Sequence, residues 1–301
     1  MSVAPSPWRR QREVGSHAAL RLMRWLSLGL GRAVSRWVLP LIALYYLVAA
    51  PAPRRASSSY LARALPRQPT ARDTLRHFHC FASTVHDRAY LLTDRFDAFD
   101  IQMQGVQHVD RLLADGAGGF LVGAHLGSFE VLRAVARGPL AGGRPYPIAM
   151  AMYEDNARQI NAALAALPGA VPPQIIALGR PQSMLEVREA LAANTLVGFL
   201  ADRRLGGEPA LSLPFLGATA HFPLGPFRLA AALRSRMLLM LGLYLGGARY
   251  EVSFVPLADF RTGTARSAAV EEAAHCYAAR LEAACRAHPY NWFNFYDFWA
   301  A

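Results

Sequence analysis

Short apolar runs alternate with helix-like segments along most of the chain, and this alternation restricts the fold more than any other feature. The first run is GFLVGA at 119–124, which is too short for a helix and has the composition of a buried strand. Strands that alternate with helices predict an α/β architecture with a mixed central sheet flanked by helices. The predicted strands are 119–124, 146–152, 174–178, 195–201, 237–245 and 250–256. The predicted helices lie within 71–100, between the first strand and 137, and at 155–167, 181–193, 222–233 and 267–287.

The N-terminal part contains an apolar run between basic segments. The 17 residues WVLPLIALYYLVAAPAP at 37–53 carry no charge, and Arg54 and Arg55 follow them directly. A spanning helix needs about 20 apolar residues, so this run can either cross a bilayer or lie on it. Before it, the arginines of 18–37 fall on one arc of a helix, which is typical of a basic amphipathic helix on a membrane surface. We predict a membrane-anchoring segment at 1–70 and a globular domain at 71–301. A buried core helix and a cleaved signal peptide are the alternatives.

The distribution of charge favours a membrane surface over nucleic acid as the basic region's partner. The net charge is +11, and the first 80 residues hold 13 arginines with Glu13 and Asp73 as their only acids. The rest of the chain is balanced, with 19 arginines and 19 acids. The positive surplus therefore lies in apolar helical sequence, where it suits anionic lipid. Three cysteines without a CxxC pair predict neither a disulfide framework nor a metal site. The absence of a nucleotide-binding glycine motif predicts no cofactor.

The strongest chemical signal is GAHLGSFE at 123–130, directly after the first predicted strand. It places His125 and Glu130 at the carboxyl end of a strand, where α/β proteins bind ligands. Five residues along a helix are about 140° apart, so His125 is expected in the turn, with Glu130 reaching back from the helix. A carboxylate on one imidazole nitrogen leaves the other free to take a proton from a hydroxyl group. Gly127 and Ser128 are expected to line the substrate site. Ser128 is also expected to cap the helix, and N–H groups near Gly127 are expected to stabilise an oxyanion.

No serine stands in a credible GxSxG context, which disfavours an acyl-serine hydrolase. Direct transfer is favoured instead, with the acceptor's own hydroxyl attacking the acyl group.

At HLGSFE the sequence resembles the HxxxxD/E motif of the lysophospholipid acyltransferase superfamily. More narrowly, it resembles the lipid A late acyltransferases of Gram-negative bacteria, which transfer lauroyl or myristoyl groups. The resemblance includes the run that begins at Gly105 and the block ADRRLGGEPALSLPFLGATAHFPLGPFRLA at 201–230. It implies a membrane-bound O-acyltransferase on the cytoplasmic face of the bacterial inner membrane. Such an enzyme moves a fatty acyl chain from an acyl carrier protein or CoA thioester to a hydroxyl of a lipid A-type glycolipid. It also implies His125 as the base and Glu130 as its partner.

Further substrate-binding residues are predicted in the later block. Asp202, Arg203 and Arg204 follow the fourth predicted strand, at the edge of the sheet where His125 should also emerge. The planar guanidinium of arginine binds two phosphate oxygens at once. Arg203 or Arg204 is therefore expected to hold the phosphate of the lipid acceptor or of the donor's phosphopantetheine. Arg228 is a further phosphate-binding candidate.

Two departures from the family pattern leave the acceptor open. The family often has Asn-Trp where this chain has Ser128-Phe129, and the ending HPYNWFNFYDFW at 288–299 is more aromatic than usual. This ending is expected to pack against the core or the membrane interface. The alternatives are an acyltransferase of another lipid pathway, such as aryl polyene or ornithine lipids, a membrane-anchored hydrolase, and a non-catalytic lipid-binding protein.

Overall fold

A seven-stranded sheet forms the centre of the fold. The computed structural model describes residues 31–137, 146–153, 174–180, 182–204, 208–262 and 266–300. The strands are β1 (Asp100–Gln104), β2 (Gly119–Gly123), β3 (Ile148–Tyr153), β4 (Gln174–Leu178), β5 (Leu196–Leu200), β6 (Ala210–Phe215), β7 (Ala218–Pro223), β8 (Arg236–Gly246) and β9 (Arg249–Asp259). The order across the sheet is β1-β9-β8-β2-β5-β3-β4, and only the pair of β8 and β9 is antiparallel. Strands β6 and β7 form a separate antiparallel hairpin.

Helices cover both faces of the sheet. They are α1 (Leu39–Ala49), α2 (Pro51–Ala64), α3 (Ala71–Leu91), α4 (Val106–Ala114), α5 (Leu132–Arg137), α6 (Ser183–Ala192), α7 (Gly225–Ala232) and α8 (Arg266–Ala287). Strand β2 is buried along its whole length, as a central parallel strand should be. Its alternate residues divide between two cores, with Phe120 and Val122 in the core that includes α2 and α8, and Leu121 in the core that includes α4.

Helix α1 has one face against the protein and one face exposed. Leu39 and Ala43 are buried, and the ring of Tyr46 lies 6.0 Å from that of Phe78 on α3. The opposite face of the helical stretch Gly31–Ala49, which contains α1, exposes large apolar side chains, namely Val34, Trp37, Leu41, Leu44, Tyr45 and Val48. The helical stretch Gly31–Ala49 is long and apolar enough to cross a membrane by length and composition. We call these six exposed residues the apolar stripe.

A buried carboxylate attaches the segment before α1 to α3. Asp87 is fully buried in α3 and accepts two hydrogen bonds from the guanidinium of Arg32, at 2.8 and 2.9 Å. The hydroxyl of Tyr250 on β9 donates to the same carboxylate at 2.9 Å. Ser35 joins the contact through a 2.6 Å hydrogen bond to His86. These bonds fix α1 relative to α3 and the sheet.

The predicted α/β architecture is confirmed, and all six predicted strands are present within a few residues of their expected ends. Strand β1 and the β6–β7 hairpin were not expected. The predicted helix at 222–233 begins only at Gly225, because 222–223 are the end of β7. The helix predicted at 155–167 and most of the amphipathic segment at 18–37 lie outside the described residues.

The N-terminal helices also differ from expectation in one respect. The apolar run at 37–53 is interrupted at Ala50, because Pro51 lacks an N–H and disfavours helical backbone at the residue before it. Within the predicted membrane-anchoring segment, helix α2 continues to Ala64. Tyr60 and Leu61 of α2 are buried in the main core. The domain boundary at residue 70 stays a prediction.

Candidate active site

His125 lies in the turn that follows β2. Gly127 makes this turn possible, because its φ of +71° favours glycine and a side chain there would overlap the carbonyl oxygen of Gly242 on β8. The N–H of Gly127 donates to the carbonyl of Asn291, and that of Ser128 donates to the carbonyl of Gly242, each at 2.7 Å. These two N–H groups therefore hold the turn in place. The expectation that N–H groups near Gly127 stabilise an oxyanion is therefore wrong for the N–H groups of Gly127 and Ser128.

The carboxylate that contacts the imidazole of His125 belongs to Asp202. Its Oδ1 accepts from Nδ1 at 2.7 Å, and its Oδ2 accepts from the backbone N–H of His125 at 3.0 Å. The two residues meet because β2 and β5 are parallel neighbours, so the segments that follow them emerge at one edge of the sheet. An ionised carboxylate only accepts hydrogen bonds. Nδ1 therefore carries the proton, and Nε2 of the neutral ring carries the free electron pair.

Two side chains near the C-terminus complete the contacts of Asp202. The indole N–H of Trp292 and the amide N–H of Asn294 both donate to its Oδ2 at 2.9 Å. Asp202 is fully buried, so these donors replace the water that would otherwise stabilise its charge. The backbone N–H of Phe293 also donates to the carbonyl of His125 at 2.7 Å. Sequence reasoning missed Trp292 and Asn294, although two asparagines within an aromatic run were a signal of buried polar contacts.

The electrostatics of the pair suit a neutral histidine beside a charged aspartate. Burial alone would raise the pKa of Asp202, but its interactions with His125 and Arg203 hold this pKa well below its usual value. Burial and the positive charge of Arg203 lower the pKa of His125, while the carboxylates of Asp202 and Glu130 act in the opposite direction. The side chain of His125 is 28% exposed. Because Nδ1 faces the buried Asp202, the ring edge with Nε2 is the part available to a substrate.

Glu130 is held elsewhere. It lies in a 3-10 helix, Phe129–Val131, and its carboxylate forms an ion pair with Arg88 of α3. The hydroxyl of Ser128 donates to the same carboxylate at 3.2 Å and makes no capping bond to the helix. The expected contact between Glu130 and His125 is thus corrected, because His125 donates to Asp202 instead and the short helix directs Glu130 towards α3. The expected cap by Ser128 is corrected as well.

Arg203 joins the site through the C-terminal segment. Its Nε donates to the Oδ1 of Asn294 at 2.7 Å, and its Nη2 donates to the carbonyl of Phe293 at 3.0 Å. These bonds fix a positive charge close to His125. Arg204 follows it and is half-buried.

The structure does not bring Arg228 to His125. Arg228 is exposed and lines an open cavity of about 280 Å³ with Ser267 and Glu271, in the first turns of α8. His125 is instead contacted by the segment that follows the other end of α8. Helix α8 has 22 residues and is therefore about 33 Å long, so the cavity at its first turns lies far from the segment that contacts His125 after its last turn.

A known protein family matches the part of the chain that contains this site. A family model described as bacterial lipid A biosynthesis acyltransferase matches residues 88–300, more than two thirds of the chain. The chain belongs to the bacterial lipid A biosynthesis acyltransferase family. No individually curated protein matches it. Membership of this family implies an acyltransferase, with an acyl donor and a lipid acceptor. The matched region contains His125, Asp202 and the C-terminal residues that hold them.

Proposed function

We propose that the protein transfers a fatty acyl chain from a thioester donor to a hydroxyl of a lipid A-type glycolipid, with His125 as general base. The observation that carries this proposal is the hydrogen bond between His125 and the buried Asp202 at the carboxyl edge of the sheet. It fixes the tautomer in which Nε2 can accept a proton.

In the reaction, Nε2 of His125 takes the proton of the acceptor hydroxyl while the oxygen attacks the thioester carbonyl carbon. The tetrahedral intermediate then collapses, its C–S bond breaks, and the leaving thiolate receives the proton from the imidazolium. The products are an ester and a free thiol. The Asp202 carboxylate stabilises the transient imidazolium, and general-base catalysis of this kind contributes about 10² to 10⁴ in rate.

The remaining polar residues have supporting roles in this proposal. Glu130 does not bond to His125 in this proposal, but its negative charge favours the imidazolium. Arg203 contributes fixed positive charge, and Arg204 next to it is the candidate for phosphate of the donor or acceptor. Gly127 and Ser128 shape the turn that presents His125 to the substrate.

We propose attachment to the cytoplasmic face of the inner membrane, and the apolar stripe supports attachment to a membrane. Trp37 is 82% exposed and Val48 is 70% exposed. A contiguous set of exposed apolar side chains is unfavourable in water and marks an interaction site for a membrane or a protein. Buried in lipid, the stripe would keep the active site close to a membrane-bound acceptor. The donor is an acyl carrier protein or CoA thioester.

The test is transfer by the membrane-bound protein with acyl carrier protein and CoA thioesters and a lipid A precursor. We expect His125→Ala to lower ester formation at least about 100-fold. His221→Ala is the matched control, because His221 lies on β7, where its ring forms a hydrogen bond with the hydroxyl of Ser212 and none with the described residues of the site. A His125→Ala enzyme with more than about a tenth of normal activity would reject the assignment of the base. Free fatty acid formed without acceptor would indicate a hydrolase instead.

A further inference from the structure

The C-terminal residues 291–294, here the NWFN segment, run beside the turn that carries His125. Leu126 and Trp292 form an antiparallel bridge, flanked by the two backbone hydrogen bonds that join the segment to the turn. The side chain of Asn291 bonds to both the N–H and the carbonyl of Tyr244 on β8, at 2.8 and 3.1 Å. The NWFN segment is therefore fixed to the sheet independently of its contacts with Asp202.

Within this segment, the two side chains that reach Asp202 act on one oxygen. Trp292 and Asn294 donate to Oδ2, which leaves Oδ1 directed at the imidazole of His125. The orientation of the Asn294 amide is fixed from its other end, because its Oδ1 accepts from Nε of Arg203 at 2.7 Å. The carboxylate of Asp202 is thus prevented from rotating.

A third set of contacts, from helices α2 and α3, holds Trp292 in place. The carbonyl of Trp292 accepts from Nε2 of the fully buried His77 at 2.9 Å. The hydroxyl of Ser57 lies 2.9 Å from the Nδ1 of His77 and donates to it in this tautomer. Burial lowers the pKa of His77 to about 4, so it is a neutral, fixed donor. The indole ring packs among aromatic rings, with Tyr60 at 5.0 Å and Phe298 at 4.6 Å.

We propose that Trp292 and Asn294 are positioning residues of the acyl transfer, which hold Asp202 so that its Oδ1 orients His125. This inference rests on the proposed function. Each N–H donated to the carboxylate also draws negative charge away from Oδ1. Removing one donor makes Asp202 a stronger partner for the imidazolium and raises the proton affinity of His125, while the carboxylate loses its fixed orientation.

The test compares three variants of the full chain in the transfer assay. Trp292→Phe removes the indole N–H but keeps an aromatic ring. Asn294→Leu removes the donor to Asp202 without adding a charge and keeps a side chain of similar size, while Arg203 retains its bond to the carbonyl of Phe293. Trp299→Phe is the matched control, because it makes the same change in the same aromatic cluster, where the indole N–H bonds to the carbonyl of Phe215 at 3.3 Å.

We expect Trp292→Phe and Asn294→Leu to lower kcat about 10- to 100-fold with little change in KM, the usual effect of losing a hydrogen bond to a charged group. We also expect the acid limb of kcat/KM against pH to move to higher pH. Trp299→Phe should change neither the kcat nor the position of this limb. A purely structural role would lower Tm and the yield of folded enzyme without moving the pH profile.

The inference is overturned if Trp292→Phe matches Trp299→Phe in both kcat and the pH profile. If Trp292→Phe does not fold, Asn294→Leu decides by the same criteria. Failure of the proposed function is distinguishable, because it would appear as persistent transfer by His125→Ala. An inactive His125→Ala together with normal positioning variants would reject this inference alone.

Discussion

Replacing Asp202 with asparagine should reverse the tautomer of His125. The Oδ2 position of Asp202 accepts three N–H groups, from His125, Trp292 and Asn294. In the Asp202→Asn variant the amide oxygen must occupy this position, because an NH₂ group there would face three donors. The new NH₂ group would then point at Nδ1 of His125 and donate to it. The ring proton would move to Nε2, where it blocks proton abstraction from the acceptor.

The size of this effect follows from the change of tautomer. The same exchange of aspartate for asparagine beside a catalytic histidine in serine proteases lowers kcat about 10⁴-fold without disturbing the geometry. We expect a loss of about 10³ to 10⁴ here, which corresponds to about 4 to 5.5 kcal/mol of activation free energy. The assay is the initial rate of ester formation at saturating donor and acceptor. Tm serves as the control for folding.

Glu130→Gln provides the comparison that makes this prediction refutable. If Asp202→Asn retains more than about a tenth of normal activity while Glu130→Gln is inactive, the orienting carboxylate is Glu130 and our reasoning from the geometry is wrong. If both variants are active, neither carboxylate is needed to orient His125.

Three further outcomes are expected. Glu130→Gln should reduce kcat less than about tenfold, because the carboxylate of Glu130 does not hold the imidazole. It should also move the acid limb of kcat/KM to lower pH, since the charge of Glu130 raises the pKa of His125. A pH profile of the variant measures both effects. Gly127→Ala should lower Tm and abolish transfer, because φ is +71° at this position and the new methyl group would overlap a carbonyl oxygen of β8. A thermal melt with the wild-type Tm would contradict this prediction. The double variant Trp37→Glu and Leu41→Glu should move the protein from the membrane fraction to the soluble fraction on sedimentation, whereas unchanged sedimentation would exclude the apolar stripe as the anchor.

The interior of the fold was predictable because burial leaves a strong pattern. Strand β2 is buried on both faces and therefore reads as a continuous apolar run. Strand β1 lies at the edge of the sheet and alternates polar and apolar residues over only five positions, which is too short a signal. Pro214 argues against a strand at β6, because proline has no N–H to donate to a neighbouring strand. The hairpin tolerates it because β6 pairs with β7 alone and is therefore an edge strand.

The place of the site at one edge of the sheet was predictable, but the contacts between its residues were not. His125 could be found because its motif follows a recognisable strand. Its partner Asp202 is 77 residues away, and their contact depends on β2 and β5 being neighbours, which no local pattern specifies. Trp292 and Asn294 are farther still, and their contact depends on where the chain runs after α8. Glu130 fitted the motif spacing, but a 3-10 helix turned its carboxylate towards Arg88.

Mass spectrometry of the host's lipids tests the central claim most directly. The comparison is between cells that lack the gene and cells that carry the wild-type, His125→Ala or Asp202→Asn copy. Our account predicts that lipid A loses one acyl chain without the gene and regains it with the wild-type copy alone. Intact lipid A in cells without the gene would contradict the proposed acceptor, and restoration by the His125→Ala copy would contradict the proposed mechanism.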